Sequence, residues 1–324
     1  MKLLVTGGAG YIGSVVAARL VAEGHEVTVL DDLSTGHADA VPAGATFVKG
    51  TLREAAAEAL AGGAEAVLHF AARSLVGESV AEPARYWSGN LGGSLALLEA
   101  MRELGVRTIV FSSTAAVYGE PERTPVTEAD PPRPTSPYGA SKLATDVALA
   151  EFARLYGFGA VSLRYFNVAG AQQAADGSWL GERHSPETHL IPNVLAAAAA
   201  GRRVRVFGDD YPTADGTCVR DYIHVSDLAD AHLRALQACQ PGRHRVYNLG
   251  NGAGFSVREV IEVCREVTGI GIGADVVARR PGDPAVLVAS AARIQAELGW
   301  RATRDLKDMA ADAWRFTCWR GSSR

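Results

Sequence analysis

The sequence predicts an α/β protein: a doubly wound parallel sheet followed by a smaller α/β domain. Three observations carry this. Short, unbroken apolar runs alternate with helix-forming segments through the first half; a glycine-rich turn joins the first run to the first helix; and after Asn167 the chain becomes polar and loop-rich. A strand covered by helices on both faces has no polar side to show, so it reads as a continuous apolar run.

The elements follow in order. Leu3-Leu4-Val5 is the first strand, ended by the glycine turn. Val15 to Ala22 reads as a helix stopped by Gly24, and Glu26 to Leu30 as the second strand. Ala66–Phe70, Thr108–Phe111 and Ala160–Tyr165 are further strands. The alanine run Ala196–Ala200 belongs to a helix that Gly201 ends. Residues 170–188, 208–217 and 281–284 read as loops. We therefore expect a first domain over 1–168 and a second over 169–324, with residues 221–250 returning to the first.

Bulk properties narrow the partners. The chain has 324 residues, enough for a large core, and a formal net charge of -4 with no Lys/Arg block. Nucleic acid is therefore not an expected partner. Cys218, Cys239, Cys264 and Cys318 are too far apart in sequence for a metal knuckle or a redox pair, so reduced thiols, no metal and a cytoplasmic setting are expected. The opening apolar run is too short for a signal peptide, and no stretch reaches the length of a membrane span.

The segment Thr6-Gly7-Gly8-Ala9-Gly10-Tyr11-Ile12-Gly13 lies between the first strand and the first helix. Glycine lets backbone approach a pyrophosphate, and the helix N-terminus behind it offers free N–H groups to the phosphates. Asp31 ends the second strand at about the 20-residue spacing of a dinucleotide site. Its carboxylate can accept from ribose hydroxyls and would repel a 2′-phosphate, so NAD is favoured over NADP; Asp32 stands beside it. The first domain is thus a Rossmann-type unit, with Gly7, Gly10, Tyr11, Ile12, Gly13, Asp31 and Asp32 as candidate cofactor residues.

Ser136-Pro137 opens a second helix-forming segment that carries Tyr138 and Lys142. A spacing of four puts both on one helix face. A phenol, with a reference pKa of about 10, is a poor base near neutrality. An ammonium beside it favours phenolate, which can take the proton of a secondary alcohol as hydride leaves the same carbon. Thr114 closes the run Ser112-Ser113-Thr114 after a strand, at the end of the sheet where ligands bind, and can hydrogen-bond the reacting oxygen.

Together these residues resemble the extended short-chain dehydrogenase/reductases, and among them the nucleotide-sugar epimerases. The resemblance covers nearly the whole chain. Beyond the segments above it includes Val76-Gly77-Glu78-Ser79, Ala115-Ala116-Val117-Tyr118-Gly119, Arg164-Tyr165-Phe166-Asn167 and Asp210-Tyr211-Pro212-Thr213. It continues through Val219-Arg220-Asp221-Tyr222-Ile223-His224-Val225, Tyr247-Asn248-Leu249-Gly250 and Arg279-Arg280-Pro281-Gly282-Asp283.

The resemblance implies interconversion of UDP-glucose and UDP-galactose through a 4-keto sugar, with bound NAD and a homodimeric enzyme. It implies further cofactor contacts from Phe70, Ala71, Asn90, Ser112 and Tyr165. It implies a substrate grip in which Asn167, Arg220 and Arg280 hold the diphosphate, Asp283 the uridine ribose, and His189 and Leu190 adjoin the substrate. His224 is expected to be structural. Three positions depart from the family pattern: Thr51 stands where an aspartate is usual near the adenine, Arg73 lies in a segment that often carries lysine, and Leu287 falls where some members have a size-limiting tyrosine. The leucine leaves N-acetylated sugars open as an additional substrate, and epimerisation of another UDP-sugar such as UDP-N-acetylglucosamine or UDP-xylose stays open. A 4,6-dehydratase would carry carboxylates where Ala115-Ala116 stand, and a non-catalytic NAD(H) sensor would often lack Tyr138 or Lys142.

Overall fold

A computed structural model describes residues 1–280 and 283–322. Six strands of the first half, β1 (Lys2–Thr6), β2 (Glu26–Asp31), β3 (Thr46–Lys49), β4 (Ala66–His69), β5 (Thr108–Ser112) and β6 (Gly159–Tyr165), are joined at the β6 edge by the strand Arg243–Leu249. The order across the sheet is 3-2-1-4-5-6 and then Arg243–Leu249, all parallel. The chain reverses direction across the sheet between β1 and β4, which opens a crevice at their carboxyl ends.

Strand alternation sorts the core into two layers. Leu3, Val5, Val29, Leu68, Val110 and Val161 face the helices Tyr11–Ala22 and Val225–Ala238. Leu4, Leu30, Val67, Ile109, Phe111 and Ala160 face the helices Leu52–Ala61, Gly93–Glu103 and Pro137–Tyr156. Successive side chains point to opposite faces, so a strand between two helix layers must be apolar at every position. Burying one such side chain stabilises the fold by roughly 1.5–3 kcal/mol.

Two boundaries differ from the sequence expectation. The first helix starts at Tyr11, not Val15, because Gly10 already occupies its N-cap in an extended conformation. The stretch 170–188 is not all loop: Ala171–Gln173 and Trp179–Gly181 pair as an antiparallel hairpin. Its turn is closed by Gly177 in the left-handed region and by the Asp176 carboxylate, which accepts from the Ser178 amide and hydroxyl. That is a local device with little apolar signature.

The second half packs Leu190–Ala199, Val257–Thr268 and Leu306–Ser322 around Val194, Leu195, Ile261, Cys264 and Met309. Short strands form two further small sheets: Tyr222–His224 pairs with Asn167–Ala169, and Val219–Arg220 lies between Phe255–Ser256 and Val286–Leu287. His224 is fully buried and caps the following helix, its ring accepting from the Ser226 amide. Among the described residues no helix is long and apolar enough to cross a membrane. All four cysteines are unpaired.

Asp221 links these pieces. It is fully buried, and its carboxylate accepts from the backbone N–H groups of Asn251 (2.7 Å), Gly252 (3.1 Å) and Ala289 (3.0 Å). Removing the carboxylate strands three buried donors. Asp221→Ala should lower the unfolding free energy by about 2–5 kcal/mol in urea titrations, and a loss below about 1 kcal/mol would contradict this account.

Candidate active site

The crevice at the carboxyl ends of β1, β2, β4 and β5 continues into a cleft of about 880 Å³. The glycine loop forms its floor. Gly7 has φ +71°, and a Cβ there would lie 2.5 Å from the Ala71 amide nitrogen; one on Gly13 would lie 2.2 Å from the Gly7 carbonyl oxygen. The loop therefore accepts no side chain at either point. No side chain caps the helix that starts at Tyr11, so its first N–H groups stay open to an anion.

The Asp31 carboxylate is buried at the rim. Its oxygens accept from the amides of Ala9 (3.0 Å) and Leu33 (2.8 Å), which fixes the group and leaves acceptor capacity for sugar hydroxyls. Burial raises its pKa, against the pull of those two amides. Asp32 is turned to its own loop, accepting from the Ser34 amide. Both carboxylates line the cleft, as do Gly10, Tyr11, Ile12, Phe70, Ala71, Asn90, Ser112 and Tyr165. A cradle closed to side chains, an uncapped helix N-terminus and a fixed carboxylate together fit a dinucleotide.

The helix Pro137–Tyr156 delivers the reacting groups. Ser136 caps it by accepting from the Gly139 amide, and Pro137 fills its first position. Tyr138 and Lys142 both reach the cleft, and Thr114 hydrogen-bonds the Tyr138 hydroxyl. Burial raises the Tyr138 pKa, and the bond from Thr114 partly opposes this. The Lys142 ammonium is almost wholly buried; it donates to the Ser112 carbonyl at 2.7 Å and sits 4.8 Å from the centre of the Phe111 ring. Burial lowers its pKa to about 7, with Asp146 pulling the other way.

Several residues act through their neighbours. Asn90, in a wide helical turn at Trp87–Gly92, accepts from the Arg73 amide (2.8 Å) and donates to the Arg73 carbonyl (3.0 Å) and Ser141 hydroxyl (3.1 Å). Its amide thus fixes the segment after β4 against the catalytic helix. The Thr51 hydroxyl donates to Glu54 at 2.8 Å in a capping box at the start of Leu52–Ala61, so it serves that helix while facing the cleft. The Arg73 guanidinium lies 3.9 Å from Glu78, at the cleft wall.

Sequence reading missed a buried network beneath the site. Asp146 pairs with Arg164 (2.9 Å), Arg164 donates to the Tyr118 hydroxyl (3.1 Å), and Tyr118 donates to Asn248 (2.7 Å). The available signal was Asp146 standing four residues beyond Lys142 on the same helix. Glu182 and His184 also line the cleft and had no sequence signal beyond their type.

Of the proposed substrate residues, Asn167 and His189 line the cleft, as does Leu287. Asn167 donates through its amide side chain to the Asp221 carbonyl at 3.2 Å. Arg220, Arg280, Asp283 and Leu190 are not among the cleft-lining residues. Arg220 and Asp283 form an ion pair, Arg280 lies 4.0 Å over the Phe207 ring, and all three act electrostatically on Cys218. They make a second charged group beside the cleft. Leu190 begins the helix that His189 precedes. Pro281 and Gly282 of the same motif lie outside the described residues.

A dinucleotide cradle at the sheet's crossing point, with tyrosine, lysine and threonine converging on it, defines a nicotinamide-dependent enzyme of the tyrosine–lysine class. The chain belongs to the NAD dependent epimerase/dehydratase family, whose model matches residues 3–250. It is 54% identical to a UDP-glucose 4-epimerase of Corynebacterium glutamicum over 98% of this chain and 96% of that protein. It is 55% identical to one from Streptomyces lividans, over 97% and 95%. A solved UDP-glucose-4-epimerase from Stenotrophomonas maltophila, described with bound NAD and formylated UDP-arabinopyranose, superimposes with a TM-score of 0.93 at 41% identity, over 100% of this chain and 99% of that one.

The buried ammonium has a measurable consequence. Its pKa falls from 10.5 to about 7, so below that pH the folded chain carries a desolvated charge in full. As pH rises from about 7 towards 10.5 only the unfolded chain keeps the proton, and the penalty vanishes. In protein stripped of dinucleotide, Lys142→Met should raise the unfolding free energy most at neutral and lower pH, with the gain shrinking towards pH 10.5. Urea titrations across that range check it; a difference that does not vary with pH would refute it.

Proposed function

We infer that this chain interconverts UDP-glucose and UDP-galactose by inverting the configuration at sugar C4, with NAD as its cofactor. The observation that carries the reading is the placement of Tyr138, held by Thr114, and of the buried Lys142 ammonium, one helical turn apart, in the cleft that contains the glycine cradle. NAD, when bound, supplies reversible hydride acceptance at C4, so that a 4-keto sugar can form and be reduced on either face.

The chain's own residues do the rest. Gly7, Gly10, Gly13 and the following helix N-terminus would hold the pyrophosphate, and Asp31 the adenosine ribose. Tyr138 takes the proton from the sugar 4-hydroxyl and returns it. Lys142, kept in place by the Ser112 carbonyl, favours the phenolate that this requires. Thr114 bridges Tyr138 and the sugar oxygen. Arg220 and Arg280 bind the diphosphate and Asp283 the uridine ribose, beside the cleft, with Asn167 between them and the reacting carbon. Guanidinium forks match phosphate oxygens in paired hydrogen bonds, so the nucleotide is anchored while the sugar is left free to turn over.

Ala115 and Ala116 face the cleft next to Thr114, which leaves a 4,6-elimination without its acid and base at that position. Leu287 on the same wall, in place of a bulkier aromatic, favours acceptance of larger N-acetylated sugars in addition. We assign residues 1–168 with 221–250 to the cofactor half and the remainder to the substrate half. A homodimer is supported by exposed apolar side chains on neighbouring helices, Leu95 on Gly93–Glu103 and Val147 and Leu155 on Pro137–Tyr156. Four unpaired thiols support a cytoplasmic setting.

Incubation with UDP-galactose should give UDP-glucose, and denaturing the purified protein should release NAD(H). Tyr138→Phe should keep the dinucleotide and lose about 10²–10⁴-fold in kcat, read from product formation. Full turnover in that variant would remove Tyr138 from the reaction.

A further inference from the structure

The segment Glu182-Arg183-His184-Ser185-Pro186-Glu187-Thr188-His189 leaves the hairpin strand Trp179–Gly181 and ends at the cap of Leu190–Ala199. It crosses the cleft wall between the two halves of the molecule. Arg183 clamps Asp39 with two hydrogen bonds of 2.7 and 2.8 Å, and the His37 ring contacts the Arg183 carbonyl at 3.1 Å. The segment is therefore pinned to the loop that follows Asp31. Its four acidic and imidazole side chains turn towards one another.

One donor atom from each of Glu182, His184, Glu187 and His189 lies within 4.8 Å of all the others. His184 Nδ1 is 2.7 Å from Glu182 and 3.9 Å from Glu187, and His189 Nδ1 is 3.7 Å from Glu187 and in contact with Glu182. Ligands at about 2.0–2.2 Å from a tetrahedral ion stand about 3.3–3.6 Å apart, so side-chain shifts of about 1 Å would bring this set onto one ion.

A second observation points the same way. The Glu182 side chain is only 5% exposed, yet its Oε2 has no hydrogen-bond partner. A buried carboxylate oxygen without a partner in such a cluster calls for a ligand, since such groups are ordinarily satisfied.

We propose that Glu182, His184, Glu187 and His189 form a site for one divalent transition-metal ion, with Zn2+ the best match. Two imidazoles and two carboxylates suit zinc, whereas magnesium and calcium favour all-oxygen shells. Four protein ligands fill a tetrahedron and leave no open position, so the ion is structural. It staples the end of the hairpin to the start of Leu190–Ala199 and so fixes the stretch of cleft wall that carries His189. The inference stands on the geometry of this segment and does not depend on which sugar the enzyme takes. Cysteine spacing, the usual sequence cue for zinc, is absent here, which is why no metal was expected from the sequence.

The test uses the full-length, tag-free protein, stripped with a chelator and dialysed. Calorimetric titration with Zn2+ should show one equivalent bound, with elemental analysis agreeing and the thermal midpoint rising. His184→Ala/His189→Ala should bind roughly 100-fold or more weakly and lose the zinc-dependent rise in midpoint, with its circular dichroism showing that it folds. Crystals of the unaltered protein grown with Zn2+ should give an anomalous peak at the zinc edge among the four side chains, which decides the matter even if the double variant does not fold. Equal uptake by the folded variant, no uptake by the native chain, or an anomalous map without density at this cluster would overturn the proposal.

Discussion

A lysine ammonium buried with no carboxylate in contact is the constraint around which this molecule is arranged. Lys142 has one backbone carbonyl, from Ser112, and the face of Phe111 to hold it. Burial works against its charge, and the charged form becomes most favourable when a negative group forms nearby. The phenol of Tyr138, one helical turn back, is the group placed to supply that negative charge. Burial raises the Tyr138 pKa as it lowers that of Lys142, so the phenolate depends on the bond from Thr114 and on the ammonium one turn away, not on burial itself. Neither residue would do this on an exposed helix, where water would screen both.

That arrangement requires a rigid frame. Ser112 ends β5 and Tyr165 ends β6, and their hydroxyls are in contact, so the helix bearing Lys142 is referenced to two adjacent strand ends. Below them the Asp146–Arg164–Tyr118–Asn248 chain locks the same helix to β6 and to the strand Arg243–Leu249. A buried ion pair of this kind is weak evidence for net stability, since desolvation offsets its attraction. Its effect here is positional: breaking it would leave a charge unpaired beneath the catalytic helix, so alternative placements of that helix are disfavoured. The glycine cradle sits two strands from β5, at the crossing point, so cofactor site and base are set by a single sheet.

Much of this was legible in the chain. The apolar runs gave the strands because a doubly covered strand has no polar face, and the glycines at 7 and 13 mark places where a Cβ would strike backbone. Tyr138 and Lys142 were readable because helical spacing is local. The network under them was not, since Asp146, Arg164, Tyr118 and Asn248 come from four separated segments and each alone looks like a surface polar residue. The hairpin at 171–181 escaped because a turn built on one aspartate and one glycine leaves almost no apolar pattern. Thr51 looked like a lost adenine contact; the structure shows a helix cap, a role that Glu54 three residues on could have suggested.

The sequence by itself determined the fold class, the dinucleotide cradle and the tyrosine–lysine pair, because each rests on periodicities and contacts within a few residues of one another. Tertiary structure alone decided that Lys142 is dry, that Arg220 pairs with Asp283 and Arg280 covers Phe207, and that Glu182, His184, Glu187 and His189 converge. The physical reason is the same in each case. Burial and convergence depend on what distant segments bring to a point, and no local pattern records the dielectric or the partners that a side chain will meet there.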